Sequence, residues 1–187
     1  FSGLPNLTTI DLSDCGLREL PDDCFANCPQ LQRLVLKGNR LNTLPASLAA
    51  CKRLQELDLA ENAFTQLPNL QPLHALETLD LTNNQLTTLP PDRLPLGDRD
   101  LLTSIACQYN RFGRLPLAFI KACLARGMAL DLSNNACWLA PETNKELADL
   151  QEARPDVFVA MYDGDGSIVL HGDRRYANEV HRQLLSD

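Results

Sequence analysis

The stretch whose residue types come closest to a cation loop is Asp163-Gly164-Asp165-Gly166-Ser167. A helix–loop–helix calcium site needs a glycine at its sixth position and a carboxylate at its twelfth. Counting from Asp163 reaches Ile168 and Arg174 instead, so the run reads as a tight turn and no metal is expected. The three histidines, His74, His171 and His181, are scattered and lack the spacing that sets two imidazoles on one helix face. No glycine-rich phosphate loop, nucleophile elbow or kinase signature occurs. The seven cysteines are odd in number, and only Cys24 and Cys28 lie within about a turn of each other. They read as small buried hydrophobes in a reducing compartment. Cys107 stands at a strand leucine position and is expected in the core, not as a nucleophile. No catalytic residue and no cofactor is expected.

The chain's elements follow from an internal period. Leu31-x-x-Leu34-x-Leu36-x-x-Asn39-x-Leu41-x-x-Leu44-Pro45 recurs through Leu54, Leu57, Leu59, Asn62, Phe64, Leu67 and Pro68, then through Leu76, Leu79, Leu81, Asn84, Leu86, Leu89 and Pro90. Further copies begin at Leu7 (with Cys15 for the Asn) and at Leu102, and a degenerate sixth begins at Gly127. The apolar–x–apolar core of each copy predicts a short strand of period two. Such strands pair laterally into a parallel sheet. The Asn or Cys that follows falls where the chain turns inward and buried main-chain groups need a partner; Asn both donates and accepts. Leu-Pro opens the far segment, whose inward anchors are Phe25, Cys28 and Leu31, then Leu48, Cys51 and Leu54. About six buried apolar side chains at roughly 1.5–3 kcal/mol each give a repeat on the order of 10 kcal/mol before entropy, so repeats must stack to fold.

With strands in place, the outward positions align. Asp11, Asp58, Asp80 and Asp131 share one column, broken by Val35 and Ala106. Asp14, Glu56, Glu61 and Glu77 flank it, Arg33 and Lys37 are basic exceptions, and Tyr109 is an exposed aromatic. These residues are the candidate partner-binding set, an acidic trough with a tyrosine anchor. An equally weighted reading is that Asp between the strand leucines only keeps the face soluble.

The pattern resembles the leucine-rich-repeat superfamily, in its typical intracellular class with Leu-Pro closing each repeat, over residues 1–141. The Leu-Pro-rich, alanine- and cysteine-tolerant style also looks like bacterial repeat proteins, injected effectors among them. The resemblance implies an α/β right-handed solenoid with a parallel concave sheet, serving as a protein-binding platform. Phe1 falls mid-repeat, which predicts a neighbour upstream, and the junction over 86–101 is stretched by Pro91, Pro95 and Asp98-Arg99-Asp100.

Residues 142–187 are expected to form a helix–hairpin–helix cap. Pro141 or Thr143 with Glu146 opens a helix that Pro155 ends. Segments 157–162 and 167–171 flank the Asp-Gly turn as a hairpin. Tyr176, Val180 and Leu184 suggest a last helix, and Trp138 would pack beneath the cap.

At 187 residues with a net charge of −7, the chain is a poor match for a phosphate backbone, so nucleic acid is not expected. Nor does any stretch approach the roughly 18 apolar residues of a membrane span. The expected function is a cytoplasmic interaction module that grips a partner protein, one with a basic surface, on its concave face. The alternative is the recognition part of a larger enzyme or of a secreted effector, such as a ubiquitin ligase or kinase, with catalysis elsewhere.

Overall fold

A computed structural model describes residues 4–113, 119, 122, 123, 126–132, 134, 135, 158–162 and 167–171. Six three-residue strands stack in parallel: β1 (Thr9–Asp11), β2 (Arg33–Val35), β3 (Glu56–Asp58), β4 (Thr78–Asp80), β5 (Ser104–Ala106) and β6 (Ala129–Asp131). Within these six, each pairs only with its sequence neighbours, as a solenoid requires. The register is unbroken, and Ile10, Leu34, Leu57, Leu79, Ile105 and Leu130 lie opposite one another along it. All six are buried, which makes this column the spine of the core.

The two antiparallel strands β7 (Phe158–Tyr162) and β8 (Ser167–His171) form the hairpin expected around the Asp-Gly run. β8 pairs antiparallel with β6, which extends the sheet to eight strands. The turn itself, Trp138, Cys137 and the two expected cap helices lie outside the described residues. Among the described residues, no helix is long and apolar enough to cross a membrane.

The Asn ladder forms as the spacing demands. Asn84 Oδ1 accepts the Phe64 N–H at 3.0 Å, while its amide donates to the carbonyls of Leu59 (2.9 Å) and Leu81 (3.1 Å). Asn39, Asn62, Asn110 and Asn135 repeat the arrangement. Each Asn therefore ties its own turn to the one before it. Cys15 reaches only the Ser13 carbonyl, at 3.3 Å, and stays exposed.

The residue just before each ladder position is left-handed: Asp14 (φ 56°), Gly38 (69°), Glu61 (56°), Asn83 (53°), Tyr109 (54°) and Asn134 (55°). Gly, Asn and Asp tolerate this region, whereas for Glu61 and Tyr109 it carries a steric cost.

On the far side, the Leu-Pro signals open short 3-10 helices at Ala46–Ala50 and Pro91–Arg93. Phe25, Cys28, Leu48, Cys51, Leu70 and Leu73 anchor these segments in the core. The six described cysteines are free thiols, four of them buried. Burial pushes Cys51 up to about 11 and Cys123 up to about 12, with the neighbouring Cys28 and Cys24 adding to the shift at Cys51. Thiols held this far above neutral pH are poor nucleophiles, as a core role implies.

Candidate functional site

The open face of the sheet is built from the two residues that flank each buried strand centre. Register places Asp11, Val35, Asp58, Asp80, Ala106 and Asp131 in one column, and Thr9, Arg33, Glu56, Thr78, Ser104 and Ala129 in the other. The acidic column expected from the repeat thus exists in register. A shallow hollow of about 250 Å³ lies over β2 to β5, with Arg33, Glu56, Asp58 and Asp80 among its lining residues. Thr78 and Ser104 also line it, though neither is charged enough to stand out in the sequence.

The carboxylates on this face have a structural duty that the charge pattern alone does not show. Asp58 Oδ1 accepts the Ala60 N–H at 3.0 Å, and Asp80 Oδ1 accepts the Thr82 N–H at 2.8 Å. Asp11 Oδ1 accepts the Ser13 N–H at 2.9 Å and is also bonded by the Ser13 hydroxyl, which with the backbone bond holds its carboxyl below the usual range. These are Asx turns that carry the strand into the ladder. The recurring Asp-Leu-x run at 11–13, 58–60 and 80–82 is the signal that could have revealed them.

Cross-strand pairs account for much of the remaining charge. Arg33 meets Glu56 at 2.5 Å, and Lys37 meets Glu61 at 3.1 Å, which raises the Lys37 pKa. Both pairs are about half exposed and contribute little to stability. Gln108 donates to Asp131 at 2.6 Å and accepts from the Thr82 hydroxyl at 2.9 Å, a polar run across three turns. Asp58 and Asp80 sit opposite each other on adjacent strands, and among the described residues Oδ2 of neither accepts a hydrogen bond. Partial burial, aided by the Asp80 charge, raises the Asp58 pKa against the lowering effect of the Ala60 N–H bond.

The other candidates stand away from the hollow. Glu77 precedes β4, is half-buried, and accepts from the Gln55 amide at 3.2 Å. Asp14, Glu61 and Tyr109 belong to the left-handed column beyond the strand ends. Asp14 lies against Gly38 of the next turn, so closely that a Cβ there would strike its carboxylate. Tyr109 is exposed by 57%, a large aromatic on a left-handed turn. Among the described residues, no group of three His, Cys, Asp or Glu side chains is arranged to hold a metal.

The family profile described as Leucine rich repeat matches residues 5–64, and one described as Leucine Rich repeats (2 copies) matches residues 52–95. This chain belongs to the leucine-rich-repeat proteins. Podocan-like protein 1 of Mus musculus is 35% identical over 137 residues, covering 70% of this chain and 23% of that protein. Epiphycan of Gallus gallus is 35% identical over 114 residues, covering 59% of this chain and 34% of that protein. The probable serine/threonine-protein kinase pats1 of Dictyostelium discoideum is 32% identical over 120 residues, which cover 60% of this chain and only 4% of the kinase. The chain therefore spans well under half of these relatives. A leucine-rich-repeat protein of Leptospira interrogans shares the fold at a TM-score of 0.50 and 20% identity, over 80% of this chain and 54% of that one. As a leucine-rich-repeat solenoid, the chain is a protein–protein interaction module in general terms.

Proposed function

We propose that this repeat protein binds a partner protein through the open, concave face of its sheet. The observation that carries the reading is the pair Asp58 and Asp80. The two lie in register beside a hollow, each with one carboxylate oxygen spent on the backbone and the other accepting no hydrogen bond among the described residues. Arg33 and Lys37 are answered by Glu56 and Glu61, so the unanswered charge beside the hollow is negative and favours a partner with a basic surface. Tyr109 would anchor the C-terminal side of the contact, where an exposed aromatic supplies area at low entropic cost. The array over 1–141 and a closing segment over 142–187 belong to the same reading. So does action in a cytosol, its own or a host's, where the six described free thiols would persist. Replacing Glu56, Asp58 and Asp80 together by lysine removes two Asx-turn acceptors, at about 0.5–1.5 kcal/mol each, and should leave the chain folded while weakening partner binding by about tenfold or more; undiminished affinity would remove the sheet face from the account.

A second reading, recognition of a substrate for a larger enzyme or effector, is favoured by the relative pats1. The region of similarity to this chain is a small part of that kinase. The sheet face would then hold the substrate, with catalysis outside these residues.

A further inference from the structure

A second surface lies on the far side of the turns from the sheet. The stretched junction after Pro90 does not dangle. Arg93 donates to the Leu67 carbonyl at 2.8 Å and accepts the Leu70 N–H at 2.8 Å, which binds the insertion to the preceding turn. From the following side, Arg126 donates to the carbonyls of Gly97 (2.7 Å), Leu96 (3.2 Å) and Asp100 (2.6 Å). Asp100 in turn accepts the Gly97 N–H at 2.6 Å and meets His74 at 2.8 Å. An insertion that only had to lengthen a loop would not require this bracing, because surface loops tolerate extra length cheaply.

Between the insertion and the preceding turn lies a hollow of about 860 Å³ with Pro91, Leu94 and Leu96 among its walls. Its titratable residues are Asp92, Asp98 and Asp100 against Arg99 and His74; with Asp100 met by His74, the exposed carboxylates are Asp92 and Asp98. Leu101, which follows the lining residue Asp100 in sequence, is exposed by 50%, at a repeat position where the second, third and sixth repeats carry Gln30, Arg53 and Arg126. An exposed leucine at the end of a braced insertion with a partly apolar hollow is the pattern of a contact surface.

We infer that this far-side hollow is a docking site for an extended segment of a partner protein, in which large apolar side chains alternate with lysine or arginine. The apolar walls take the leucine-like side chains, and the carboxylates of Asp92 and Asp98, both exposed, receive the cations. The site is separate from the sheet face and stands or falls independently of it.

The test uses the full 187-residue chain and a fluorescent peptide in which leucine alternates with lysine, followed by anisotropy. Two control peptides replace the leucines by alanine or the lysines by glutamate. The inference expects the leucine–lysine peptide to bind about tenfold tighter than either control. It also expects Leu101→Ser, and separately Asp92→Lys with Asp98→Lys, to weaken that binding by about fivefold or more. These positions are exposed, so the variants should remain folded. The Glu56→Lys, Asp58→Lys, Asp80→Lys variant should bind the peptide within about twofold of the parent. Equal binding of the glutamate peptide, indifference to the far-side variants, or loss in the sheet-face variant would each overturn the inference.

Discussion

Asp58 and Asp80 serve the backbone with one carboxylate oxygen, while the other accepts no hydrogen bond among the described residues. The two duties separate by substitution. Asp58→Ala leaves the Ala60 N–H without its acceptor and should cost about 0.5–1.5 kcal/mol of stability in a denaturant titration. Asp58→Asn keeps an acceptor oxygen and removes the charge that burial and Asp80 disfavour. The native Asp58 pKa is raised above 3.8, so the folded state holds the proton more tightly than the unfolded chain. Stability from this group is therefore greatest at low pH and is lost as pH rises from 3.8 through the raised value. Asp58→Asn should abolish that loss and be at least as stable as the parent at pH 7; a lower melting temperature at pH 7 would contradict the assignment. Tyr109 poses the complementary case. Tyr109→Gly relieves a left-handed backbone worth about 1 kcal/mol and gives back a similar amount in chain entropy. Thermal melting should move little while partner binding falls, which separates an anchor from a structural tyrosine.

The ladder is where element stability concentrates. Asn84 is 6% exposed and joins two turns through the Leu59 and Leu81 carbonyls and the Phe64 N–H. Asn84→Leu would strand those groups, at about 1–3 kcal/mol for each one left unpaired. A loss of roughly 3 kcal/mol or more is expected in equilibrium unfolding, and a loss below about 1 kcal/mol would show that the ladder does not carry that load. Strands, ladder and far-side anchors were legible in the sequence because each recurs at a fixed offset, and a one-residue slip would turn Leu57 outward. The hairpin was legible from its Asp-Gly punctuation. The left-handed column was not, since Asp14, Gly38, Glu61, Asn83 and Tyr109 share a conformation but no side-chain chemistry. The Arg126 brace was equally hidden, because its nearest anchor by sequence, Asp100, lies 26 residues away.

At the scale of the whole molecule, two faces carry the surface chemistry: the sheet with its acidic hollow and the far side with its braced insertion. The acidic column itself was read correctly from the strand pattern. Its charge balance was not, because the pairs Arg33–Glu56 and Lys37–Glu61 depend on how neighbouring turns align. What remains unanswered is local, around Asp58 and Asp80. Association through it should weaken as ionic strength rises toward and beyond about 0.15 M. The most direct test is quantitative affinity capture by the parent chain and by the Glu56→Lys, Asp58→Lys, Asp80→Lys variant, with melting curves showing both folded. The sheet-face account predicts a set of proteins held by the parent and lost from the variant, while an Asp92→Lys, Asp98→Lys variant on the far side still holds them. Recovery of the same proteins at the same yield by the sheet-face variant would contradict it.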